Sequence, residues 1–128
     1  VIYVDTSVAL AFLLTEERSV PQRFWEESLI SSRLLEYELW NRIHARGLSQ
    51  THGEEAHALL ARLALIELAP PVLARALEPF SIRVRTLDAL HLSSIEFLRS
   101  RRQEVVLASF DERLLAAARS LGIPEYQY

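Results

Sequence analysis

Hydrophobic positions divide the chain into short apolar runs and longer stretches with helical spacing. Val1 to Val4 reads as a buried strand, and the apolar run Val8 to Leu14 as the helix that follows it. Val20 to Glu27 is predicted as a short second helix with Pro21 in its first turn, and Leu29 to Ser31 as a brief strand. From Arg33 to Arg46, Leu35, Leu39 and Ile43 recur at helical intervals, and Gly47 supplies the stop. Thr51 to Ala64 reads as another helix, "LIELAP" as a strand ending at Pro70 and Pro71, and Val72 to Leu77 as a short helix. "SIRV" fits either a strand or a loop. Thr86 to Arg99 predicts a helix, "EVVLAS" an apolar strand, Glu112 to Leu121 a helix closed by Gly122, and "IPEYQY" an edge strand.

Short apolar strands alternating with helices predict an α/β fold: a central parallel sheet covered by helices on both faces, a three-layer α/β/α sandwich. With 128 residues, half of them hydrophobic, and no repeat or linker, a single domain over 1–128 is expected. No apolar run approaches the roughly 20 residues that span a bilayer, and "VALAFLL" lacks the basic flank of a signal peptide, so no membrane segment is expected. The absence of Cys excludes a disulfide framework, a thiolate nucleophile and a Cys-ligated metal, and fits a cytoplasmic location.

Charge sharpens the picture through its distribution. Net charge is −3, yet all 14 basic residues are Arg, the planar cation suited to bidentate phosphate binding. Codon bias also accounts for that usage. Asp occurs only at Asp5, Asp88 and Asp111, whereas Glu occurs fourteen times. In parallel sheets, ligands bind beyond the carboxyl ends of the strands. Asp5 ends the first strand, Asp111 follows "EVVLAS", and Asp88 opens the helix after "SIRV", so all three are expected on one edge of the sheet.

Helix capping is the plain alternative. "SFDE" has capping-box spacing, with Ser109 as N-cap and Glu112 at the third helical position, and Thr86 is placed to cap the helix of "TLDALHL". Asp111 and Asp88 are then left without capping duty. Attraction to a helix dipole, about 0.3–1 kcal/mol per charge, explains either residue alone but not the shared placement of three. Converging carboxylates repel unless a cation neutralises them, and oxygen ligands of this kind suit Mg²⁺ or Mn²⁺. A fourth carboxylate is expected on "SSRLLEYELWNRIHARG". Glu36 and Glu38 point about 200° apart on a helix, so only one can face the site. Glu38 lies on the more inward side, but an i,i+4 surface pair with Arg42 explains it equally well.

"VIYVDTSVAL", "SSRLLEYELWNRIHARG", "RTLDALHLSS" and "VVLASFDERLLAAARSLGI" resemble, in order and spacing, the motifs of PIN-domain ribonucleases, especially the VapC-type toxins of prokaryotic toxin–antitoxin pairs. The resemblance covers nearly the whole chain. It implies a metal site formed by the motif acids, here Asp5, Glu38, Asp88 and Asp111, and it selects Glu38 over Glu36 by the interval from Ser32. Thr6 and Ser7 match the small hydroxyl residues that help to organise the site. The resemblance further implies Mg²⁺- or Mn²⁺-dependent cleavage of RNA by metal-activated water, a VapB-type antitoxin as partner, and a homodimer. The segment between "IELAP" and "RTLDAL" departs from the family by looking trimmed.

Other residues admit two readings. His91 suits a packed, hydrogen-bonded core position better than a metal ligand. Arg42 and Arg46, one and two turns beyond Glu38, suit contact with RNA or antitoxin, or simply a solvated helix face. Phe12, Phe24, Trp25 and Trp40 fit either the core or a partner groove, and Arg99, Arg101 and Arg102 complement a helix C-terminus. A response-regulator receiver is excluded by the single acid in "VDTS" and the absence of Lys. A PIN-fold nuclease with a housekeeping RNA- or DNA-processing role, and a non-catalytic binding module, stay as alternatives.

Overall fold

The structure is a computed structural model that describes residues 1–16 and 18–128. Its sheet contains four parallel strands, β1 (Ile2–Val4), β2 (Leu29–Ser32), β3 (Ala64–Ile66) and β4 (Val106–Ala108), in the order β3-β2-β1-β4. The helices are α1 (Thr6–Leu13), α2 (Arg33–Ala45), α3 (Ser49–Ala61), α4 (Pro70–Ala76), α5 (Thr86–Ser100) and α6 (Glu112–Ser120).

Alternation along the strands builds two cores. Successive side chains point to opposite faces of a strand, and β1 divides accordingly. Ile2 and Val4 join Val8, Leu13, Leu35, Leu39, Ile43 and Leu59 on the face covered by α1, α2 and α3. Tyr3 turns the other way, into Leu92, Ile95, Leu107, Leu114 and Leu115 beneath α5 and α6. β1 pairs with β2 and β4 along its edges and is covered by helices on both faces, which explains its unbroken apolar run. The predicted layered α/β architecture is therefore present.

Several boundaries differ from those predicted. Val20 to Glu27 is not an α-helix: Gln22–Glu26 forms a 3₁₀ turn, with no side-chain cap at Pro21, that buries the adjacent Phe24 and Trp25 in the core. α1 starts at Thr6 rather than Val8, since Asp5 caps it directly. α3 runs Ser49–Ala61 rather than Thr51 to Ala64, because Ala64 pairs with Ile30 to open β3. Pro70 and Pro71 begin α4 instead of ending a strand, as the missing N–H of proline permits in a first turn. "SIRV" is loop, and the expected edge strand at the C-terminal end is reduced to a single bridge between Leu107 and Glu125, flanked by backbone bonds at 2.8 Å from Leu107 N–H to Pro124 and from Tyr126 N–H to Leu107. The stops after α2 and α6 hold: Gly47 and Gly122 have φ of 65° and 73°, the left-handed conformation that glycine adopts without penalty.

α5 is fixed to the sheet by Leu92 and Ile95, both fully buried. Leu92→Ala should lower the unfolding free energy by about 2–5 kcal/mol, the cost of a buried cavity of this size, read from urea denaturation.

Candidate active site

Asp5 stands where β1 gives way to α1. Its backbone N–H bonds to Ala108 O at 3.0 Å, so pairing with β4 sets its position before the side chain is considered. Its carboxylate is only 6% exposed with its residue and must be solvated by protein. Oδ2 accepts from Ser7 Oγ at 2.6 Å, from Ser109 Oγ at 2.8 Å and from Ser7 N–H at 3.4 Å. Ser7 Oγ and Ser109 Oγ in turn accept the N–H groups of Phe110 and Asp111, each at 2.9 Å. These bonds tie the β4–α6 connection to the start of α1.

Glu38, on α2, faces the same space. Its Oε1 accepts from Thr6 Oγ1 and is bonded to His91 Nε2, both at 2.7 Å. Burial disfavours the carboxylate, but the His91 bond and charge and the Thr6 hydroxyl outweigh it and hold the pKa of Glu38 below the ordinary value. An ionised Glu38 can only accept, so His91 Nε2 carries a hydrogen. The other ring nitrogen, Nδ1, is bonded to the Tyr3 hydroxyl at 2.7 Å. Burial opposes a charged His91, while the Glu38 bond and the charges of Asp5, Glu38 and Asp88 raise its pKa. Burial also raises that of Tyr3, keeping its hydroxyl protonated. The expected buried, hydrogen-bonded His91 is present, and it additionally holds a site carboxylate.

Asp88 lies in the first turn of α5 and is largely buried. Burial raises its pKa, and the charge of Asp111 raises it further, against the pull of Arg85. Asp111 precedes α6. Here the expected capping box fails: Asp111 itself is the N-cap, its Oδ1 accepting from Arg113 N–H at 3.0 Å and Leu114 N–H at 3.3 Å. Ser109 is engaged by Asp5 instead. The expected Thr86 cap fails as well, because Thr86 is already inside α5 and Arg85 occupies the cap position without a capping bond. Arg85 lies across the two acids, with Nε 3.5 Å from Asp88 Oδ2 and Nη2 3.7 Å from Asp111 Oδ2.

Asp5, Glu38, Asp88 and Asp111 thus come from four elements to line one cleft of about 580 Å³, together with Thr6, Ser7 and His91. Arg42 and Asn41 lie on its α2 side, whereas Arg46 caps the exposed end of α2 and does not line the cleft. The surface pair between Glu38 and Arg42 is absent, and Glu36 pairs outward with Arg33 at 3.3 Å. Phe24 and Trp25 are buried in the core, with Phe12 and Trp40 partly buried against it. Ser109, Arg85 and Asn41 are not marked for the site by local spacing: the capping-box pattern claims Ser109, and nothing around the other two points to the cleft.

Among the described residues, no group of three or more His, Asp or Glu side chains is arranged as a ready-made ion site. The donor set nonetheless suits a hard cation. Asp5, Glu38 and Asp111 each commit one oxygen to protein donors, and among the described residues no hydrogen bond engages the other. Asp88 has only the long contact from Arg85 Nε, 3.5 Å from its Oδ2. Mg²⁺ keeps several waters and is commonly held by one or two carboxylates, so close clustering of three ligands is not required.

Four acids at the carboxyl edge of a parallel sheet, in these sequence positions, define a protein class. The PIN-domain family model matches residues 2–120, and the chain belongs to that family. It is similar to Ribonuclease VapC47 of Mycobacterium tuberculosis (strain CDC 1551 / Oshkosh), with 30% identity over 128 residues covering 94% of this chain and 92% of that protein. The VapC-type resemblance found in the motifs therefore extends along the chain.

Two outcomes follow from the local electrostatics. A raised Asp88 pKa means that its charged form weakens the fold at neutral pH. Asp88→Asn should raise the melting temperature of metal-free protein at pH 7; below the ordinary carboxylate range both forms are uncharged and should melt alike. His91→Leu removes the buried bonds to Tyr3 and Glu38 and should cost about 1–3 kcal/mol, with Tyr3→Phe recovering part of the loss in a double-mutant cycle.

Proposed function

We propose that this chain is a Mg²⁺- or Mn²⁺-dependent endoribonuclease and the toxin of a VapBC-type pair, acting in the cytoplasm as a homodimer. The observation that carries the proposal is the convergence of Asp5, Glu38, Asp88 and Asp111 on one cleft, with oxygens left over from their structural bonds. Together with the PIN-domain membership and the ribonuclease named among its relatives, this favours phosphodiester hydrolysis.

Those four acids would hold the cation. When bound, it supplies activation of water and neutralises charge developing on the phosphate and leaving oxygen. The chain's own contributions are distinct. Ser7 and Ser109 keep the Asp5 carboxylate from rotating, while Thr6 and His91 do the same for Glu38, fixing the geometry before substrate arrives. Arg42 and Asn41 flank the cleft where an RNA phosphate, or a segment of the VapB-type antitoxin, would approach. Arg46, one turn further along α2 at its C-terminal end, does not line the cleft and is left to RNA or antitoxin contacts outside it.

The test is cleavage of labelled single-stranded RNA with Mg²⁺, Mn²⁺ or EDTA, comparing wild type with Asp5→Asn. The asparagine oxygen can still accept from Ser7 and Ser109, so the fold should persist. Cleavage should require metal and fall in the variant by more than the roughly 10–100-fold typical of residues that only support a ligand. Unchanged turnover in a folded variant would remove the acidic cleft from the mechanism.

A further inference from the structure

The acid cleft does not end at Asp88. Arg85 and Asp88 also line an adjoining groove of about 390 Å³, which continues past Arg83 and Arg113 over the apolar Ile82, Val84 and Ala116. The cations come from separate segments: Arg83 and Arg85 from the loop leading into α5, and Arg113 from the first turn of α6. All three are exposed. Arg113 is placed by the same Asp111 carboxylate that borders the cleft, through its backbone N–H at 3.0 Å.

Arg85 reaches Asp88 and Asp111, but Arg83 and Arg113 form no ion pair among the described residues. Like charges gathered around one groove repel, and Asp88, the carboxylate that lines it, is engaged by Arg85 rather than by these two. Guanidinium forks match phosphate oxygens bidentately. Several such forks beside apolar surface suit a polymer in which phosphates alternate with sugars and bases, rather than one small anion.

We propose that this groove is a backbone track for single-stranded RNA: Arg83 and Arg113 each engage a phosphate flanking the scissile one, and Arg85 marks the junction with the acid cleft. The choice of RNA rests on the nuclease function proposed above; the track itself rests on the placement of the arginines. It lies on the α5–α6 side, opposite Arg42, so a strand crossing the cleft would meet arginine on both banks.

The test measures binding of a fluorescein-labelled single-stranded RNA by anisotropy, in EDTA, over a range of NaCl concentrations. The full chain carries Asp5→Asn to prevent cutting. Arg83→Gln/Arg113→Gln is compared with Arg101→Gln/Arg102→Gln, which removes equal charge from the far end of α5. The groove pair should make the slope of log K against log salt shallower by about 1.4, at about 0.7 for each phosphate contact removed, and weaken binding about tenfold at moderate salt, while the control pair leaves both unchanged. Equal behaviour of the two pairs overturns the track. So does a loss confined to a labelled oligoglutamate competitor, which would assign the groove to an acidic protein segment. Cleavage without the groove substitutions separates the two proposals: if Asp5→Asn cuts RNA like wild type while the slopes differ as expected, the assignment of cutting to the acid cleft fails and the track stands; if cutting is lost but the slopes agree, the track fails and the acid-cleft assignment stands.

Discussion

A carboxylate at the end of a buried strand needs hydrogen-bond donors wherever water is excluded, and Asp5 draws them from both sides of the sheet edge. Ser7 supplies a hydroxyl and a backbone N–H from the start of α1, and Ser109 supplies a hydroxyl from beyond β4. Neither serine is isolated, since each hydroxyl accepts a backbone N–H of the β4–α6 connection. Solvating one charge thereby fixes how two loops cross the end of the sheet. Asp111 follows immediately and inherits its position from the same bonds. An unpaired buried charge would be far too costly to keep, so the demands of Asp5 shape the cleft as much as the packing beneath it.

The rest of the cleft is a problem in charge balance. Asp88 gains little from its environment: it is desolvated, close to Asp111, and opposed mainly by one exposed arginine. Glu38 is the reverse case, held ionised by Thr6 and by a histidine that Tyr3 supports from the core. Two acids in one pocket thus have opposite pKa tendencies for identifiable reasons. Such asymmetry destabilises the isolated chain locally while leaving it receptive to cationic groups, the exchange of stability for function seen where active sites carry their own strain.

The architecture was legible because β1 and β4 are short apolar runs between helices, a pattern governed by burial on two faces. The three aspartates were legible through scarcity and position. Boundaries were less so. Ala64 fits a helix or a strand equally by local preference and is claimed by pairing with Ile30, while the prolines at 70 and 71 are compatible with a strand end or a helix start. Arg85 was illegible for a related reason: its role depends on Asp111, 26 positions away, and no local periodicity encodes that distance. His91 was read correctly as a buried, bonded residue, but its partners Tyr3 and Glu38 belong to two other elements.

The most instructive failure concerns the caps. Setting capping against ligand binding treats a carboxylate as having one use, so that a Ser109 cap releases Asp111 for chemistry. A carboxylate has two oxygens with about four acceptor sites between them. Asp5 and Asp111 both cap helices with one oxygen and keep the other without a hydrogen bond from the described residues. Capping is then the means by which the cleft is organised: it locks the side-chain torsion and aligns the carboxylate with a helix N-terminus, where negative charge is favoured. An acid that caps a helix at the carboxyl edge of a parallel sheet is already positioned, by the ordinary requirements of folding, to offer a second oxygen to a ligand.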